Sequence, residues 1–177
     1  QALSTRADLI GEALASDMST LQDRLPPFPT ARAKATITDE LGAPLSELFA
    51  SFEDTPVAAA SIAQVHFATT TTGEAVAVKV LRPHIERAFA RDLDLMGWLA
   101  ECVERRFPHL RRLRPCAVVA TFAETVRIEL DLRFEAAAAE ELRENTKNDT
   151  GFYVPRIDWQ RSARRVLTSE RIHGINA

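Results

Sequence analysis

Two hydrophobic rhythms alternate along the chain, one belonging to helices and one to strands. From Asp8 onward Leu9, Ile10, Ala13, Leu14, Met18 and Leu21 recur at three- and four-residue spacing, which predicts an amphipathic helix. Pro26, Pro27 and Pro29 in "LPPFP" must end it, because proline has no amide donor and crowds the preceding turn. Thr30 is placed to cap a second helix that ends near Gly42, and "APLSELFASF" reads as one more short helix. Residues 1–50 are therefore expected to form a helical extension without strands. Near Glu53 the rhythm changes. Ile62, Val65 and Phe67 alternate with small or polar residues, "AVAVKVL" is rich in valine, and "TTTTGEA" between them supplies a turn at Gly73. A β-hairpin is the natural reading.

Pro83 then opens a long helix in which Ile85, Phe89, Leu93, Met96, Leu99, Val103 and Phe107 keep helical spacing. "PHLRRLRP" interrupts it, and Pro115 starts another helix running to about Asn145. "FYVPRIDW" and "RRVLTSERI", joined by "QRSA", read as a second pair of strands. The order predicts an α+β fold with a mostly antiparallel sheet, in which residues 51–177 form one domain and 1–50 its extension.

Composition narrows the class. The chain has 177 residues, 46% hydrophobic and 27% charged, the balance of a globular domain large enough to bury a core. Its net charge of −3 gives no reason to expect nucleic acid as a partner. Cys102 and Cys116 are too few and isolated for a disulfide framework and are expected as neutral thiols in a reducing compartment. His66, His84, His109 and His173 are scattered without metal-ligand spacing, so no metal site is expected from these side chains. No apolar run reaches the roughly 18–20 residues that cross a bilayer. The basic run Arg105, Arg106, Arg111, Arg112 and Arg114 fits either a solvated loop or a contact with anionic lipid.

One stretch carries candidate chemistry. "VAVK", ending at Lys79 on the second strand of the hairpin, has the form with which kinases hold ATP phosphates by a lysine that a helix glutamate keeps in place. By itself the motif is weak, and a solvated strand lysine is the favoured reading. Where a glycine-rich loop would cover the phosphates, the chain has Ala58, Ala59, Ala60 and Ser61, whose Cβ atoms exclude cheap positive φ. A packed small-residue turn and a nucleotide loop both remain open.

Taken in order, "LSTRADLI…LQDRLPPFP", "PVAAASIAQVH", "VAVKVLRP", "ELDLRFEA" and "SERIHG" resemble the UbiB/ADCK family of atypical protein-kinase-like proteins over essentially the whole chain. The resemblance implies a kinase-like small lobe with an inserted helix after the lysine strand and an N-terminal helical extension. It implies ADP or ATP with magnesium as cofactor, and a role in ubiquinone biosynthesis or related lipid metabolism. Ala58, Ala59, Ala60 and Ser61 then match the nucleotide loop, and Lys79 the ATP-site lysine. Glu129 and Asp131 match the E-x-D motif, and Glu135 the helix glutamate that pairs with the lysine. Gln1 resembles the last, regulatory residue of a K-x-G-Q motif, while backbone groups of Glu170, Arg171 and Ile172 fall where a hinge meets adenine. If one helix runs through this region, Asp131 and Glu135 share a face and Glu129 points elsewhere, towards the extension.

No H-R-D or D-F-G segment follows, and "NDTGF" at Asn148–Phe152 precedes a strand, so the resemblance covers the small lobe without the large one. Two function classes stay open: part of an atypical kinase or ATPase, or a non-catalytic module binding a partner protein or membrane lipid; the resemblance also implies a membrane lipid or a quinone precursor as a partner. The location expected is cytoplasm or organelle matrix, with peripheral attachment at the inner membrane left open. Protein partners from quinone biosynthesis follow from the family alone.

Overall fold

The computed structural model describes residues 26–172; Gln1, the helix expected from Asp8, His173 and Gly174 lie outside that range. The hairpin expected from the alternating pattern is the centre of the molecule. Strand β3 spans Ala63–Thr70 and β4 spans Ala75–Leu81, antiparallel, with Val65 opposite Lys79 and Phe67 opposite Ala77; β1 and β2 are two shorter strands before them. Gly73 turns the chain at φ 88°, where a side chain would be strained. Strand β5 (Val166–Glu170) adds antiparallel to the far edge of β4. The shorter β1 (Phe49–Phe52) and β2 (Ala58–Ala59) both line the other edge of β3, giving the order β1-β3-β4-β5 with β2 beside β3.

The period-two pattern sorts the sheet into two faces. Val76, Val78 and Val80 point to one face and are buried against Ala33 and Ile37 of α1 (Thr30–Leu41), with Phe49 and Val166 completing that core. Helix α1 ends on Gly42 at φ 66°, as expected for a glycine C-cap. Thr30 does not cap it: the N-cap is Pro29, and the Thr30 hydroxyl donates to the Asp54 carbonyl at 2.6 Å. The "APLSELFASF" stretch is only half helical. Helix α2 stops after Leu45–Leu48, and Phe49 continues straight into β1, where its ring fills the core beside the sheet edge. Residue 50 therefore lies inside a strand, and the helix before it is the cover of the sheet.

After β4 the chain makes a helical hairpin: α3 (Ile85–Arg106), a 3-10 turn at Pro108–Leu113, and α4 (Pro115–Glu129) packed back on α3. The helix expected from Pro115 to Asn145 divides at Leu130–Asp131. Asp131, at φ −127° and ψ 95°, leaves helical geometry and caps a new helix α5 (Leu132–Asn145) through its side chain. Leu132 and Ala136 of α5 pack with Ala63, Leu81, Leu167 and Ile157 on the second face of the sheet.

The second strand pair is also not formed as expected. Only β5 is a strand; of the earlier segment, Ile157 alone bridges to Ser169. Pro155 cannot donate to a ladder, and Asp158 instead caps a 3-10 turn at Trp159–Arg161 by accepting from the Gln160 and Arg161 amides. Among the described residues no helix is long and apolar enough to cross a membrane.

Candidate functional site

Lys79 stands on the sheet face that α5 covers only in part. Cross-strand pairing sets Ala58, Val65, Lys79 and Leu167 in one row across β2, β3, β4 and β5. Leu167 is buried under α5, whereas Val65, Phe67, Ala77 and Lys79 remain partly open. The opening follows from placement: the stripe Leu132, Ala136 and Ala139 seats α5 over the Leu81 end of the hairpin and leaves the rest uncovered.

Glu135 lies at the edge of that stripe, and this brings its carboxylate to Lys79. The ammonium donates to Glu135 Oε1 at 2.9 Å and to Oε2 at 2.7 Å, joining residues 56 apart in sequence. The lysine side chain is 30% exposed and the glutamate 50%. A pair this open to water contributes about 0–1 kcal/mol to folding, so its main physical effect is to fix where Lys79 points. The cation is thereby held over an accessible, largely apolar floor.

Two further anchors hold α5 at this height. The Leu132 amide donates to the Arg164 carbonyl at 2.8 Å. The Asp131 carboxylate accepts from the Arg133 amide at 3.1 Å and from its guanidinium at 2.9 and 2.6 Å. These bonds from Arg133 hold the Asp131 carboxyl below the usual range against the opposing effect of burial. Asp131 thus does not share a helix face with Glu135, because it precedes the helix. Glu129 ends α4 with an exposed side chain, and the structure does not bring Glu129 or Asp131 to Lys79.

The alanine segment is a tight turn at the end of the same hairpin. The Ala60 amide donates to the Ala63 carbonyl at 2.8 Å and the Val57 amide to the Val65 carbonyl at 2.8 Å. None of Ala58, Ala59, Ala60 and Ser61 has positive φ, so alanine costs this backbone nothing. Ala58 is two strands from Lys79, about 10 Å at the usual strand spacing. Arg82 braces the turn from behind: its Nε donates to the Ala60 carbonyl at 3.1 Å and its Nη2 to the Pro26 carbonyl at 3.0 Å. The guanidinium also lies 5.6 Å from the Phe28 ring centre.

At the other end of the open face, Glu170 and Arg171 have their amides committed, to the Arg156 carbonyl at 2.8 Å and the Ala75 carbonyl at 3.1 Å. The Glu170 carboxylate accepts from the Tyr153 hydroxyl at 2.7 Å, which holds its carboxyl below the ordinary range. The Arg171 guanidinium stacks 3.6 Å from the Phe67 ring centre on the Lys79 side of the sheet. Ile172 follows with an exposed side chain.

Gln64 and His66 of "SIAQVH" have a role that the pattern did not disclose. Both are fully buried on the α1 face. Gln64 Oε1 accepts from the Phe28 amide at 3.1 Å, its amide nitrogen lies 2.8 Å from His66 Nε2, and His66 Nδ1 lies 2.8 Å from the Glu53 carbonyl. Burial lowers the His66 pKa, so the ring is neutral and its Nδ1–H donates to Glu53. The motif clips the chain before α1 and the chain after β1 to one strand. Polar residues at alternate positions within a strand were the available signal, but their partners lie in distant segments.

The site thus offers one fixed cation, an open apolar surface and a small-residue turn. Such a surface can receive a phosphate and a flat ring. Among the described residues no three carboxylate, histidine or cysteine groups converge as a metal site.

Comparison with known proteins fits this geometry. Residues 20–177 match the ABC1 atypical kinase-like domain. Proteins named "Probable protein kinase UbiB" are 49% identical in Marinobacter nauticus and 43% identical in Pseudomonas putida, each aligned over 99% of this chain and 32% of the relative. The chain therefore spans about a third of the length of these curated relatives. A solved complex of Rv3197 with erythromycin from Mycobacterium tuberculosis is 32% identical with a TM-score of 0.74, covering 95% of this chain and 41% of that one.

Proposed function

The chain belongs to the UbiB/ADCK family of ABC1 atypical kinase-like proteins, and on that premise we propose that it forms the nucleotide-facing small lobe of an atypical kinase or ATPase. Lys79 neutralises the phosphates of ADP or ATP, and Glu135 orients Lys79. The turn Ala58–Ser61 closes over the phosphates from the β2 edge, and the adenine lies on the floor of Val65 and Ala77, beside the Arg171 guanidinium that covers Phe67. Because the Glu170 and Arg171 amides are already used, the adenine edge meets the chain at the Glu170 carbonyl or at Ile172. Magnesium arrives with the nucleotide phosphates, where it would offset their charge. Glu129 and Asp131 act outside the phosphate contact: Asp131 sets the start of α5 and Glu129 serves the extension, while the role of Gln1 is regulatory. The reaction is completed by parts of the longer protein, in support of ubiquinone biosynthesis or related lipid metabolism.

The observation that carries this reading is the Lys79–Glu135 contact on an open sheet face. It is tested by thermal stabilisation with magnesium-ADP and magnesium-ATP, comparing the chain with Lys79→Ala. A charge-assisted hydrogen bond is worth about 1.5–3 kcal/mol, so the variant should bind roughly 10- to 150-fold more weakly. Equal stabilisation of both proteins would discard the nucleotide role and favour a non-catalytic binding module.

A further inference from the structure

The open face of the sheet carries a second cation besides Lys79, and it lies where part of a base would rest. Arg171 stands two residues beyond Ser169, which pairs with Ala77, so both side chains are on the Lys79 side of the sheet. Its amide extends the ladder to the Ala75 carbonyl at 3.1 Å. From there the side chain crosses β4, where Ala75 offers only a methyl group, and the guanidinium stacks 3.6 Å from the ring centre of Phe67 on β3. Two features mark this position as exchangeable. Nε of Arg171 is buried and, among the described residues, has no hydrogen-bond acceptor, so the stacked side chain carries an unmet donor. Nη1 lies 3.8 Å from Glu53 Oε1, beyond hydrogen-bond range, and Glu53 is 55% exposed, so a carboxylate stands where a released guanidinium can turn.

On the premise of the nucleotide reading above, we propose that Arg171 is the specificity-determining residue of the base site: a cover on Phe67 that a two-ring base displaces and a one-ring base does not. A base whose phosphates are held at Lys79 meets Val65 and Ala77 first. These are diagonal neighbours on adjacent strands and span about 7 Å. That floor suits one ring. The second ring of a purine reaches the position opposite Ala77, which is Phe67. Stacking there replaces the guanidinium by a flat aromatic surface and releases Arg171 towards Glu53 and water, where Nε finds an acceptor. A pyrimidine or a bare polyphosphate gains nothing by moving it.

The Nε–H of Arg171 is the reporter, since the face of an aromatic ring moves a proton held over it upfield in an NMR spectrum. Arg171→Lys identifies the signal by its loss, and Phe67→Leu should return it to the position of a solvated arginine. In the full chain, magnesium-ADP should shift the signal to that same position, whereas magnesium-CDP and magnesium tripolyphosphate should leave it in place. In calorimetric titration Arg171→Ala should tighten magnesium-ADP binding roughly 2- to 5-fold, the worth of one cation–π contact at a partly exposed site. Binding of magnesium-CDP and tripolyphosphate should not change. Tripolyphosphate binding that is absent, or that survives Lys79→Ala, would discard the nucleotide reading and this role with it. Where tripolyphosphate binding does depend on Lys79, an Arg171 signal unmoved by magnesium-ADP, or moved equally by magnesium-CDP, would overturn the Arg171 role alone. Unchanged or weaker magnesium-ADP binding by Arg171→Ala would overturn it too.

Discussion

Replacing Glu135 by glutamine keeps the side chain's length and polarity and removes the charge that holds Lys79. The structure sets two magnitudes that can be measured apart. With the partners 30% and 50% exposed, the ion pair contributes at most about 1 kcal/mol to folding. In a chain of this size that corresponds to a fall in Tm of no more than about 4 °C. Nucleotide affinity should respond more strongly. A lysine released from its carboxylate regains rotamer freedom worth up to about 2 kcal/mol, which binding must then remove again. Glu135→Gln is therefore expected to weaken magnesium-ADP binding by roughly 5- to 30-fold, less than Lys79→Ala, which loses the phosphate contact itself. Calorimetric titration with magnesium-ADP gives the affinity, and scanning calorimetry without ligand gives the stability. A large loss of stability with unchanged affinity would make the pair a structural tie and refute the orienting role. Wild-type behaviour in both assays would do the same.

The same geometry sets further expectations. Leu132 is essentially buried between α5 and the Leu81 end of the hairpin, so Leu132→Ala should cost about 2–5 kcal/mol in denaturant unfolding and also loosen Glu135. His66 has its pKa lowered by burial, so an unfolded chain takes up a proton that the folded ring resists. Its contribution is present above the unfolded value near pH 6.5 and is lost as pH falls towards the folded pKa. A His66→Gln variant should flatten that part of the stability–pH profile; an unchanged slope would place the titration elsewhere. Asp131, also lowered, contributes above its unfolded value near pH 3.9 and loses that contribution as pH falls through the folded pKa. Asp131→Ala should lower stability at neutral pH by about 0.5–2 kcal/mol as a lost N-cap, with a smaller difference in acid.

The parts legible in the sequence were those set by local rules. Alternation plus Gly73 specified β3, β4 and their turn, and Gly42 specified the end of α1, because period and backbone conformation are properties of neighbouring residues. The errors came where a distant pairing, or a local cap or proline that the apolar pattern passes over, decides. Phe49 follows a helical turn in sequence, yet its burial in the sheet core and pairing with Thr70 pull the backbone into β1. Asp131 sits in a run of good helix formers, and its bonds to Arg133 make it a cap that splits the helix. Pro155 stopped a strand that the apolar spacing of Tyr153, Val154 and Ile157 had suggested.

The Lys79–Glu135 contact illustrates both sides. Glu86, Glu101 and Glu104 of α3 follow the lysine strand more closely in sequence, whereas resemblance to the family pointed to Glu135. The helix-face reason offered for Glu135 together with Asp131 does not hold. What delivers the carboxylate is the stripe Leu132, Ala136 and Ala139, which seats α5 against the sheet. Gln64 and His66 were visible as residues, but their clipping role depends on Phe28 and Glu53 and could not be read from the strand alone.

The most direct test of the nucleotide site uses an ATP analogue whose terminal phosphate carries a transferable acyl group, which marks any lysine held beside the phosphates. The chain has three lysines, Lys34, Lys79 and Lys147, so peptide mass spectrometry resolves the outcome fully. Lys34 pairs with Asp54 and Lys147 with Glu144, away from the open face, and they serve as internal controls. The nucleotide site proposed above requires acylation concentrated on Lys79, suppressed by excess magnesium-ADP and weakened in Glu135→Gln. Labelling spread evenly over the three lysines, or labelling of Lys79 that magnesium-ADP does not suppress, would contradict it.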